Sequence, residues 1–134
     1  MYLLDTNVVS EARRGTSQAV SWLRSVDTLK VHLSVLTLGE IMRGIALKQK
    51  ADPRTAGQLA EWLQKMRRDH GDRILPITGE IAVEWGRIAV IRPRGDVDGL
   101  IAATAIVHDL IVVTRNVSDF SDTGATVIDP WGAA

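Results

Sequence analysis

The chain has no cysteine among its 134 residues. Disulfides and zinc–thiolate sites are thereby excluded, and a reducing compartment is compatible with the composition. It has no charge of one prevailing sign either. Sixteen lysines and arginines balance sixteen aspartates and glutamates, so bulk charge does not advertise a nucleic-acid binder, although a local basic patch remains compatible with neutrality. No apolar run approaches the ~18 residues of a membrane span. The first residues form a strand-like run without a basic leader or a long apolar stretch, so no signal peptide is visible and a soluble, cytoplasmic protein is expected. No repeat, low-complexity tract or linker divides the sequence. The three histidines, His32, His70 and His108, lie in unrelated contexts. None has a nucleophile or ligand partner at motif spacing, and all three read as structural.

What is present is enough apolar material, 46% of residues, for one solid core, and the length fits a single domain over residues 1–134. Strand-like runs cover residues 2–4, 31–34, 74–77, 110–114 and 126–128. Helical spacing of apolar residues marks 17–26, 36–48, 80–91 and 97–108. Pro53 opens a further helix that Gly71 closes, and Asn7 is expected to cap a short one running to about Arg13. Pro76 places the third strand at a sheet edge. Strands alternating with helices predict an α/β fold, a parallel sheet covered on both faces. In such sheets functional groups gather beyond the carboxyl ends of the strands.

Four acids stand out against that frame. Asp5 follows the first strand, and Asp119 follows the strand ending near Thr114. Asp98 shares one helix face with Ile101, Ala102 and Ala105, a face otherwise apolar and small. Glu40 lies early in a helix that follows a strand. Each has an ordinary alternative: a turn or cap for Asp5, helix capping by Asp96 or Asp98, a solvated acid paired with Arg43 for Glu40, and a surface loop for Asp119. Together they can converge on one end of the sheet. Clustered carboxylates repel and take up protons unless a cation is present. Hard oxygen ligands select Mg²⁺ or Mn²⁺, the ions of metal-assisted phosphodiester hydrolysis.

The segments LLDTNVVSE, LTLGEIMRGIA, DGLIAATAIVHDLIVVTRNVSDF and VIDPW resemble PIN-domain ribonucleases. More narrowly they resemble the VapC toxins of type II toxin–antitoxin pairs, including the FitB-like branch. The matched segments span almost the whole chain in the family's order. The resemblance implies an α/β/α sandwich around a mostly parallel sheet. It also implies a Mg²⁺- or Mn²⁺-dependent endoribonuclease acting on tRNA or rRNA loops and leaving 5′-phosphate ends. Asp5, Glu40 and Asp98 match the family's acids and Asp119 its fourth acidic position, with Asn116 competing for that role. Asp5 and Asp98 are the expected direct metal ligands, and Glu40 and Asp119 either ligate as well or hold a metal-bound water or a second metal. Thr6 and Thr114 match polar positions near the pocket. The partners implied are a cognate antitoxin offering an apolar helix and often an arginine to the acids, a second copy of the chain, and operator DNA reached through the antitoxin.

For RNA contact, Arg13, Arg14, Arg43, Arg92 and Arg94 lie near the ends of the elements carrying the acids. Arg115 can meet a phosphate or pair with a nearby acid. Lys65, Arg67 and Arg68, interrupted by Asp69, read as an ordinary exposed helix end. Trp22 and Trp62 suit a core or an interface. Two other readings are open. One is a catalytically silent PIN domain that only binds. The other is a Mg²⁺-dependent phosphatase or phosphoreceiver, which lacks support where Asn7 stands in place of a second aspartate and Thr114-Arg115 in place of a late lysine.

Overall fold

The computed structural model describes residues 1–132. Five short strands form one parallel sheet: β1 (Tyr2–Leu4), β2 (Val31–Ser34), β3 (Ile74–Leu75), β4 (Ile111–Val113) and β5 (Val127–Ile128). Their order across the sheet is β3-β2-β1-β4-β5. β3 is therefore at an edge, as expected, but it is shorter than the 74–77 run: it stops at Leu75, directly before Pro76, whose missing N–H cannot extend the ladder. Six helices fill the crossovers: α1 (Thr6–Arg14), α2 (Ser17–Ser25), α3 (Val35–Ala51), α4 (Pro53–His70), α5 (Gly79–Ala89) and α6 (Asp96–His108).

The order of the strands locates the functional end before any side chain is considered. The chain builds outward from β1 through β2 to β3, then returns to build β4 and β5 on the other side. The reversal falls between β1 and β4, where flanking loops diverge and leave a crevice beyond the strands' carboxyl ends. Asp5 closes β1, and its N–H donates to the Val113 carbonyl of β4 at 2.9 Å.

Alternation along the strands divides the core into two layers. Leu4, Val31, Leu33 and Val113 face α1, α3 and α4, packing with Val8, Ile41, Ile45 and Leu63. Leu3 and Val112 face the opposite way, onto Ile81, Ile88, Ile101, Ala102 and Phe120. The second layer is thin because α6 buries mostly small residues: Gly99, Ala102, Ala103, Thr104 and Ala105 are all buried. That burial is wider than the single stripe read from spacing, because α6 is covered by α5 as well as by the sheet. Thr104 is accommodated by donating its hydroxyl to the Leu100 carbonyl at 2.7 Å.

Gly99 is where α5 and α6 approach. A Cβ there would lie 3.0 Å from Trp85 Cδ1 and 3.1 Å from its Nε1. Alanine gains about 1 kcal/mol of helix propensity over glycine, while overpacking a filled site costs about 1–3 kcal/mol. Gly99→Ala is therefore expected to destabilise by about 1 kcal/mol net, read as a lower denaturant midpoint at unchanged m-value.

Candidate metal centre and active site

Asp5 is 6% exposed and does two things. Its backbone is extended (φ −70°, ψ 153°) and its Oδ1 accepts from the Thr6 N–H at 2.8 Å, so it caps α1. Asn7, expected in that role, lies one residue inside the helix: the chain turns helical at Thr6, directly after the strand. Asn7 instead faces the crevice. Its Nδ2 lies 3.3 Å from Asp5 Oδ2 and 3.4 Å from Thr114 Oγ1, and its Oδ1 accepts from the Arg115 N–H at 3.4 Å. Thr114 is buried. Its hydroxyl donates to Asp5 Oδ2 at 2.8 Å and accepts from the Asn116 N–H at 3.0 Å. Both oxygens of Asp5 are thus oriented by the strand ends that flank the switch point.

Glu40 projects from α3 and is exposed. It is tied not to Arg43 but to Thr6, whose hydroxyl lies 2.5 Å from Glu40 Oε1 and 3.1 Å from the Thr37 hydroxyl. Thr37 is fully buried. Asp98 is half-buried in the first turn of α6, two residues after Asp96, and Gly95 stands at the cap position without a side-chain bond. Asp119 ends a 3-10 turn, Val117–Asp119, that begins after Asn116. Asn116 is exposed.

The acids feel one another. Burial is the largest influence on Asp5 and raises its pKa. The Thr114 and Thr6 hydrogen bonds oppose the rise, and the charges of Glu40 and Asp119 add to it. Asp98 is pushed up to about 6, by burial first and then by the charges of Asp5, Asp119 and Glu40, with Arg94 the opposing influence. Two acids from separate elements that resist ionisation for a shared reason mark a functional site more than a structural ion pair. Among the described residues, no three acids or histidines stand close enough to enclose an ion as they are. The donor set is all hard oxygen, which fits a divalent cation of the oxygen-seeking class.

Of the basic residues, Arg43 is exposed. Arg13 is exposed but stands over the Trp62 ring at 5.9 Å, beside an apolar groove rather than the acids. Arg14 pairs with Glu11 at 2.8 Å. Arg115 stacks on Trp131 with its guanidinium 5.2 Å from the ring centroid. Its charge is one of the weaker influences holding Glu11 below the usual range, after the Thr16 hydrogen bond. Arg92 and Arg94 are not a free rim: both bind Asp122, at 2.6 and 2.9 Å, and the Arg94 side chain is 4% exposed. His32 and His70 turn Nδ1 to the Tyr2 and Met66 carbonyls, at 3.3 and 3.0 Å. Asn7 and Thr37 are the crevice residues that reading the sequence missed. Asn7 sits inside the quoted LLDTN segment, two residues from Asp5. Thr37 lies three residues before Glu40, one helical turn away.

Residues 2–125 match the PIN domain. Over 98% of its length the chain is 35% identical to the toxin FitB of Neisseria gonorrhoeae, covering 99% of that protein. It is 31% identical, with full coverage of both chains, to the VapC ribonuclease Y4jK of Sinorhizobium fredii. A solved structure of FitAB bound to an IR36 DNA fragment superposes with a TM-score of 0.89 at 32% identity, covering 100% of this chain and 98% of the other. An all-parallel sheet with its acids at the switch point, and likeness along nearly the whole length, lead to one conclusion: the chain belongs to the PIN domain family.

Proposed function

We propose that this chain is the toxin of a type II toxin–antitoxin pair and an endoribonuclease that depends on Mg²⁺ or Mn²⁺. The observation that carries the reading is that Asp5, at the β1–β4 crevice, and Asp98, in the first turn of α6, both have their ionisation disfavoured by burial and by the neighbouring acids. Asp5 and Asp98 would hold the cation directly, and Glu40 and Asp119 would complete its surroundings, with Asn116 the alternative to Asp119. A divalent cation bound there supplies Lewis-acid polarisation of the scissile phosphate and activation of water.

The chain's own groups bind and orient. Thr114 and the Thr6 N–H fix both oxygens of Asp5. Thr6 holds Glu40 against α1, and Thr37 backs Thr6. Arg43 and Arg115 are the cations available to phosphates, while Arg13 lies farther along the surface.

The partner reading draws on the relatives. FitB is a named toxin and FitAB is a complex seen on DNA. By analogy this chain pairs with an antitoxin, sits with it on operator DNA, and works in the cytoplasm. No helix among the described residues is long and apolar enough to cross a membrane. An antitoxin helix has a surface to meet: a groove of about 320 Å³ lined by Leu4, Val9, Leu23, Leu33, Trp62 and Met66, with Arg13 and Lys65 also along it. Met42, Leu47 and Val83 are exposed on α3 and α5, apolar surface suited to pairing of two copies.

The test is incubation of antitoxin-free protein with a mixed tRNA and rRNA pool, with Mg²⁺ or Mn²⁺ against EDTA. Discrete cuts with 5′-phosphate ends, lost in EDTA, are expected. Folded protein that cuts nothing in either ion would favour a silent binding domain, and cutting that survives EDTA would refute the metal site.

A further inference from the structure

The segment joining α5 to α6 carries Arg92 and Arg94 on either side of Pro93. Both reach across 25 to 30 residues of sequence to the turn that bears Asp119. Arg92 donates through Nε to Asp122 Oδ2 at 2.6 Å and through Nη2 to the Ser118 carbonyl. Arg94 donates through Nη2 to Asp122 Oδ1 at 2.9 Å and through Nη1 to the Asp119 carbonyl at 2.9 Å. One carboxylate is thus shared by two guanidiniums, and the same two guanidiniums take the carbonyls of consecutive residues in the 3-10 turn.

This is more than a surface ion pair. The Arg94 side chain is 4% exposed, and its Nε is buried with no partner. Burying a guanidinium with one donor unsatisfied is costly. It persists because its two charge-assisted bonds are fixed in geometry by the planar fork. The turn is anchored from beneath as well: Phe120 is fully buried, and the Thr123 hydroxyl donates to the Phe120 carbonyl at 2.7 Å. Arg94 stands four residues before Asp98, so the clamp joins the entry of α6, which carries one acid, to the turn that carries another.

We propose that Arg92, Arg94 and Asp122 are positioning residues: together they fix the Asp119 turn against the start of α6 and so set where Asp119 stands relative to Asp98. This rests on the reading of Asp119 as a site acid. The arginines act on the backbone beneath Asp119, not on the substrate. Both guanidiniums are engaged with Asp122 within the protein. Outer contacts of this kind typically alter metal affinity by about 10–100-fold.

The experiment measures Mn²⁺ binding by titration calorimetry on full-length, EDTA-stripped protein, with circular dichroism and melting temperature as controls of folding. Asp122→Ala, Asp122→Asn and Arg94→Lys are each made with Asp119 intact and in an Asp119→Ala background. With Asp119 present, Asp122→Ala and Arg94→Lys are expected to weaken Mn²⁺ about tenfold. Asp122→Asn, which keeps one acceptor oxygen, should lose less. In the Asp119→Ala background the same changes should shift the affinity less than about twofold, since additivity fails only where residues act through one another. Equal losses in both backgrounds, or no loss in either, overturn the clamp while leaving the metal site standing. Asp119→Ala that binds Mn²⁺ as tightly as wild type removes Asp119 from the site and the clamp's purpose with it. Wild-type protein that binds no Mn²⁺ overturns the metal-site reading itself.

Discussion

Asp5→Asn is expected to lower RNA cleavage by about two orders of magnitude or more, since even outer contacts of a metal site are worth about 10–100-fold. Its metal-free melting temperature should nonetheless stay at or above that of the wild type. Asparagine keeps an oxygen to accept from the Thr6 N–H, so the cap of α1 survives. It also removes a buried charge that the fold disfavours. Asp5→Ala should be equally inactive but less stable, by about 1 kcal/mol for the lost cap, with the Thr114 hydroxyl left without its acceptor. Cleavage assays beside thermal melts of the three proteins separate the two duties of this residue. An Asp5→Asn protein that still cuts RNA at the wild-type rate would show that Asp5 serves the helix alone.

Asp98→Asn is expected to change how stability depends on pH and on metal together. In the folded chain Asp98 keeps its proton up to about pH 6, whereas its ordinary value is 3.8. Between those values the folded state holds a proton the unfolded state has released. The group's contribution to stability therefore falls as pH rises through that window and stays low above it. Relative to Asp98→Asn, metal-free wild type should lose stability from about pH 4 to pH 6 and run parallel above. Saturating Mn²⁺ at pH 7.5 should raise the melting temperature of the wild type, because the ion binds the folded state, and leave Asp98→Asn nearly unmoved. Denaturation series across pH, with and without Mn²⁺, check this. Parallel curves for the two proteins at every pH would show that Asp98 does not carry the raised pKa.

Much of this was legible in the order of residues. Alternating strands and helices specified the parallel sheet, Pro76 placed β3 at an edge, and acids directly after strand ends pointed to the crevice. What was not legible depends on partners distant in the chain. Asn7 reads as a cap until β4 brings Thr114 and Arg115 beside it. Glu40 reads as a partner of Arg43 until α1 brings Thr6 to it. Arg92 and Arg94 read as free cations because their partner, Asp122, lies 28 to 30 residues away. Local pattern reports which side chains are unusual, and only packing decides which of them remain available.

The place of β1 in the sheet has a consequence for how the protein is made. β1 precedes the other four strands in the chain and lies at the centre of the sheet, yet one of its two neighbours is β4, more than a hundred residues later. Contacts at such separation form late, because a long loop must close before the pairing rewards it. The hydroxyl that orients Asp5 is on Thr114, and Asp98 and Asp119 flank the same strand. A nascent chain that has not yet reached Thr114 therefore holds Asp5 without its seat. The acidic pocket therefore closes only after the chain has been made as far as Thr114 and the Asp119 turn, however early β1 itself emerges.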